Sequence, residues 1–86
     1  MIKREFIENN LIKVLNYLPG VIKYQKHNYY LKIDKIDNTW FIEYYNDYLE
    51  NTIIDAQGKD FVQVIIDIIQ EIDIFIPDFI NNLIDI

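Results

Sequence analysis

Few residues in this chain are of a kind that makes or breaks bonds. There is one histidine, His27, and there is neither serine nor cysteine. His27 would offer a general base or a metal ligand, but it stands beside Asn28 with no acid close in sequence, and it reads as an exposed residue at a hairpin tip. Carboxylates occur in close pairs, Asp34 with Asp37, Asp47 with Glu50, and Glu71 with Asp73. None of these pairs follows the calcium-loop pattern, which needs Asp or Asn at alternating positions, glycine at the sixth and glutamate at the twelfth. Glycosidase or nuclease chemistry would need a cleft, and a short chain with two glycines has little from which to build one. Thr39 and Thr52 have no histidine at a spacing that suggests activation. The segment AQGKD, residues 56–60, echoes a phosphate loop but lacks both its first glycine and the Ser or Thr after the lysine. The inventory predicts a protein that is not an enzyme, with no catalytic residue, no metal site and no cofactor.

A different kind of cluster stands out. The stretch EYYNDYLEN, residues 43–51, sets Tyr44, Tyr45 and Tyr48 among Glu43, Asp47 and Glu50, with no lysine or arginine between them. Tyrosine gives broad amphipathic contact at low entropic cost and is enriched in binding patches. With Asp55 and Asp60 downstream, the segment after the third strand can present a negative array beside aromatic rings. A good strand former with acids that keep an edge soluble would have the same composition.

The charge distribution sharpens this reading. Residues 1–42 hold seven bases and four acids, a balance of +3, whereas residues 43–86 hold ten acids and Lys59 alone, a balance of −9. Negative charge concentrated in one half repels phosphate backbones, so direct nucleic-acid binding is not expected and a basic protein partner is.

A chain of 86 residues forms one domain, 1–86, with a single small core. Without cysteine, disulfides and thiolate metal sites are excluded, which suits a reducing cytoplasm. The segment MIKREFIENN has no apolar stretch of the kind a secretion signal carries, and no apolar run approaches the ~20 residues that span a bilayer. A cytoplasmic protein without membrane association is expected. Nineteen isoleucines against one alanine and one arginine suit an AT-rich bacterial, phage or plasmid genome.

The elements that must position these residues follow from hydrophobic period. Ile7, Leu11, Val14 and Leu18 share one helical face, widened by Phe6 and Leu15, and Pro19-Gly20 ends it. From Val21 the period becomes two. Ile22 and Tyr24 share a face, then Tyr29, Leu31 and Ile33 alternate with Tyr30, Lys32 and Asp34, and Trp40, Ile42 and Tyr44 alternate with Phe41, Glu43 and Tyr45. His27-Asn28 and Asp37-Asn38 supply turns. These runs predict an antiparallel three-stranded meander, with TIIDA at 52–56 as a fourth edge strand or an extended connection. After Gly58, Asp60 caps a helix with Gln63 three residues on. Its apolar stripes are Phe61, Ile65, Ile68, Ile72 and Phe75, beside Val62, Ile66, Ile69 and Ile76. Pro77 stops it before a short helix that puts Phe79, Ile80, Leu83 and Ile84 on one side. The expected fold is α+β, a three- or four-stranded antiparallel sheet with helices on one face, in the order α-β-β-β-(β)-α-α. The excess of apolar helix faces leaves room for a homodimer.

Two resemblances bear on function. Residues 39–72, a strand followed by IIDAQGKDFVQVIIDIIQEI, resemble the end of a HicB-type antitoxin domain through Gly58, Asp60 and the helix periodicity. That resemblance implies a small basic toxin as partner. In type rather than motif, a tiny acidic cysteine-free α+β domain is similar to phage-encoded anti-CRISPR inhibitors. That resemblance implies carboxylates presented to the basic, nucleic-acid-accepting groove of a CRISPR effector or another defence nuclease. The leading expectation is an inhibitor of this second kind, binding through Glu43, Tyr45, Asp47, Tyr48, Glu50 and Asp55, with the antitoxin as the alternative.

Overall fold

A computed structural model describes residues 2–24 and 26–86. Along the chain run α1 (Arg4–Asn9), α2 (Leu11–Tyr17), β1 (Lys23–Tyr24), β2 (His27–Asn28), β3 (Tyr30–Ile36), β4 (Thr39–Asn46), β5 (Asn51–Gly58), α3 (Phe61–Phe75) and α4 (Phe79–Ile84). The α+β class is observed, with β3, β4 and β5 forming an antiparallel sheet in that order and β1 pairing with β2 in a separate small hairpin. The three strands of the sheet are displaced from the expected set. The segment around TIIDA forms the full strand β5, whereas the run from Val21 gives only the two-residue β1. β5 pairs with β4, on the opposite side of the sheet from the β3 edge that the run from Val21 was expected to take. His27 closes the small hairpin opposite Tyr24 and is not its turn. The facing expected for Tyr24 lies outside the described side chains.

The expected first helix breaks in two at Asn10, which sits at φ −130°. Its side-chain Nδ2 donates to the Phe6 carbonyl at 2.9 Å, a local bond of the kind that competes with the helical ladder. The apolar face survives the break, because Ile7, Val14 and Leu18 are fully buried. Gly20, at φ +81°, takes the left-handed exit after Pro19.

The inner face of β4, with Trp40, Ile42 and Tyr44, and that of β5, with Ile54 and Ala56, lie under α3, which packs against both strands and against α1 and α4. Gly58 allows the close approach: a Cβ there would lie 3.2 Å from a methyl of Val64. Asp60 Oδ1 accepts from the backbone N–H groups of Val62 and Gln63, so the cap forms as its sequence suggests. The same carboxylate grips the guanidinium of Arg4 through both oxygens, at 2.8 and 3.0 Å, which joins α1 to the start of α3. Within α3 the buried face is Val64, Ile65, Ile66, Ile68, Ile69 and Ile72. Phe75, assigned by its spacing to the apolar stripe, is 61% exposed at the last turn, where the chain bends away ahead of Pro77. In α4 the side chains of Phe79, Ile80 and Leu83 are buried, but Ile84 is not.

Candidate functional site

The outer face of the sheet, opposite the helices, is where the sequence-predicted residues gather. Asp37 and Asn38 both have positive φ, 52° and 63°, as a two-residue primed turn requires, and this turn sets the register between β3 and β4. Lys32 thereby stands opposite Glu43, and Tyr30 opposite Tyr45. Because side chains alternate along a strand, Glu43 and Tyr45 leave the face that buries Ile42 and Tyr44. Asp55 of β5 lies directly across from Glu43.

Each of these residues has a defined setting. Glu43 accepts from the Thr52 hydroxyl at 2.8 Å and pairs with the Lys32 ammonium at 3.7 Å. Those contacts offset the repulsion expected of two carboxylates placed cross-strand. The Lys32 ammonium also lies 4.5 Å from the centre of the Tyr45 ring. Tyr45 in turn meets the Tyr30 ring edge-on, with centroids 5.8 Å apart. The Tyr30 hydroxyl donates to Asp47 Oδ1 at 3.0 Å. Partial loss of water around Tyr30, followed by that bond and the Asp47 charge, raises its pKa above the ordinary tyrosine value. Beside this row, Lys32, Asp34, Phe41, Glu43, Asp55 and Gln57 line a shallow depression of about 270 Å³.

The loop between β4 and β5 holds the rest. Asn46 is fully buried and its Oδ1 accepts from the Leu49 N–H at 2.9 Å, which folds residues 46–49 into a turn. That turn carries Asp47 toward Tyr30 and leaves Tyr48 62% exposed. The Tyr48 ring stacks on the His27 ring at 4.1 Å, with their planes 6° apart. Glu50 is exposed in the left-handed region, at φ 51°. The structure therefore groups Glu43, Tyr45, Asp47 and Asp55 with the outer sheet face, and it sets Tyr48 and Glu50 on the adjoining loop.

Three contributors were not singled out by the linear sequence, namely Tyr30, Lys32 and Asn46. The turn at Asp37-Asn38 carried the signal for the first two, since a two-residue loop dictates which residues of the flanking strands face each other. Lys32 changes the character of the patch, because an array that is purely acidic along the chain has a lysine at its centre in space. Among the described residues, no three His, Asp or Glu side chains come close enough together to hold a metal ion, and no helix is long and apolar enough to cross a membrane. Compared with protein-family models, curated proteins and solved structures, the chain matches none of them.

Proposed function

We propose that this protein is a non-enzymatic binding protein that uses the outer sheet face and the β4–β5 loop to occupy a basic surface of another protein. One observation carries the reading: among the described residues, no helix covers the face on which the Tyr30–Tyr45 pair, Glu43, Asp47 and Asp55 gather around Lys32. Two aromatic rings supply contact area, and the uncompensated carboxylates supply attraction to lysine and arginine. A groove that accepts a nucleic-acid backbone is a natural target, because carboxylates along a strand and loop can stand in for phosphates there. The most concrete form of the proposal is an inhibitor of a nucleic-acid-handling defence complex, similar in type to phage anti-CRISPR proteins. The antitoxin reading draws on the strand, Gly58 turn and Asp60-capped helix of residues 39–72 and assigns the same chemistry to a small basic toxin.

The test is affinity capture from the native host, followed by binding measurements on the captured protein. Binding should weaken at least tenfold when ionic strength rises from about 0.05 to 0.3 M. Asp55→Lys and Asp47→Lys should each weaken it further without unfolding the domain. A captured basic toxin would select the antitoxin form, and a nuclease subunit the inhibitor form. Affinity insensitive to both salt and the two substitutions would overturn the proposal.

A further inference from the structure

The outer edge of β3 is unpaired among the described residues, and both of its faces are largely open to water. Ile36 is 59% and Ile33 40% exposed there, a costly arrangement for a seven-residue strand unless something covers it. The register of the β3–β4 hairpin determines which backbone groups point outward. A two-residue turn closes on a hydrogen-bonded pair, here Ile36 with Thr39, and hydrogen-bonded pairs then alternate along the ladder. Lys32, Asp34 and Ile36 thus spend their N–H and C=O groups on β4. Leu31, Ile33 and Lys35 turn theirs to the open edge.

The geometry points to a second copy of this chain as the occupant of that edge. The two β3 strands would run antiparallel about a two-fold axis through Ile33, making one six-stranded sheet with the helices of both copies on the same side. Only registers that set the outward-facing odd residues opposite one another can form the ladder. Centring the axis on Lys32 opposes two lysines, and centring it on Asp34 opposes two aspartates. Centring it on Ile33 instead places Lys32 opposite Asp34 of the second copy, and Asp34 opposite its Lys32, with Tyr30 facing Ile36 along the same row. On the other face Ile33 meets its own counterpart, and Lys35 lies beside Leu31. The segment YLKIDKI, residues 30–36, is self-complementary in charge in this register and in neither neighbouring one. Asp34 has no ion-pair partner within the chain among the described residues, and Lys32 already leans toward Glu43 at 3.7 Å, so it can serve both carboxylates. The apolar stripe of α3 is already occupied within the chain by the sheet and by α1 and α4, so this dimer does not use it.

The test is sedimentation velocity on the native chain and on two charge variants, with circular dichroism confirming that each is folded. The native protein should dimerise with rising concentration. Asp34→Lys, which opposes lysines across the axis, and Lys32→Asp, which opposes aspartates, should each weaken self-association about tenfold or more. An equimolar mixture of the two variants should regain a dimer, because opposite charges then face each other again. A cysteine probe reads the register and leaves the Lys32 and Asp34 pairs intact. Ile33→Cys should cross-link to itself rapidly on oxidation, since paired Cα atoms about 5.5 Å apart fall within disulfide range. Lys35→Cys, which faces residue 31 and not itself, should not. The inference is overturned if the native chain is monomeric at about 1 mM. It is equally overturned if the variants dimerise as the native does, if their mixture recovers nothing, or if Lys35→Cys cross-links as readily as Ile33→Cys.

Discussion

Tyr44 ties the strand that carries the candidate site to the end of α2, and its replacement by phenylalanine makes a quantitative test of the fold. The ring is fully buried, and its hydroxyl donates to the Leu18 carbonyl at 2.8 Å. Removing the hydroxyl does not orphan that carbonyl, because it also accepts from the Val21 N–H at 3.3 Å. The loss is therefore that of one hydrogen bond with little added desolvation penalty, about 1 kcal/mol. In a domain of this size that lowers Tm by about 4–8 °C at neutral pH. The same burial raises the pKa of Tyr44 far above the ordinary tyrosine value. Below pH ~10 the phenol is protonated in both the folded and unfolded chain, and its contribution is intact. Above that, the unfolded chain releases a proton that the folded chain holds, so the native protein loses stability at up to about 1.4 kcal/mol per pH unit through this group. Tyr44→Phe has no such loss, and the six other tyrosines are common to both proteins. Thermal or denaturant unfolding followed by circular dichroism from pH 7 to 11 should show the native advantage shrinking above pH ~10 and vanishing near pH ~11. Equal stability at pH 7, or a gap that stays constant to pH 11, would refute the reasoning. Since Tyr44 faces away from the outer sheet surface, binding through that surface should be unchanged in the variant.

Other consequences are open to simple measurements. Asp60→Ala removes both the cap of α3 and the partner of Arg4, and it should lower Tm at neutral pH. Arg4 foremost, with the two cap N–H groups, holds the Asp60 pKa below the usual carboxylate value, so its contribution is present above pH ~4 and disappears as pH falls below that. A Tm profile from about pH 2 to 6 should accordingly be flatter for the variant. Gly58→Ala forces a Cβ against the buried Val64 and should cost about 1 kcal/mol in denaturant unfolding. In a Val64→Ala background the penalty should disappear, a coupling that a double-mutant cycle measures directly. Ile68→Ala should cost about 2–5 kcal/mol, whereas Phe75→Ala, at an exposed position, should stay within about 0.5 kcal/mol of native.

How much of this was legible in the sequence differs from element to element. The cap at Asp60, the stop at Pro77 and the left-handed Gly20 follow from the chemistry of single residues, and these appear where they were expected. The alternation of Trp40, Ile42 and Tyr44 with Phe41, Glu43 and Tyr45 was equally plain, because the period of a strand leaves only two faces. The ends of α3 were less legible. The stripe implied by spacing runs on to Phe75, but burial depends on what lies opposite and not on period, and at the last turn Phe75 is left exposed. The break at Asn10 was missed because hydrophobic period says nothing of a side-chain amide that prefers a carbonyl four residues back.

The amino-acid sequence by itself determined the class of fold, the inventory that excludes thiol and serine chemistry, and the opposition of a basic first half to an acidic second half, because these rest on residue types and short-range periods. Which strands would join the sheet was decided in three dimensions: β5 added to the far side of β4, while β1 closed on β2 in its own hairpin and left the outer edge of β3 unpaired among the described residues. Tertiary structure also decided the make-up of the candidate surface. Lys32 and Tyr30 lie more than ten residues from Glu43 and Tyr45 along the chain and reach them only through strand register. A run read as purely acidic thus acquires a lysine at its centre, and the strand that brings it there is left with an open, charge-complementary edge.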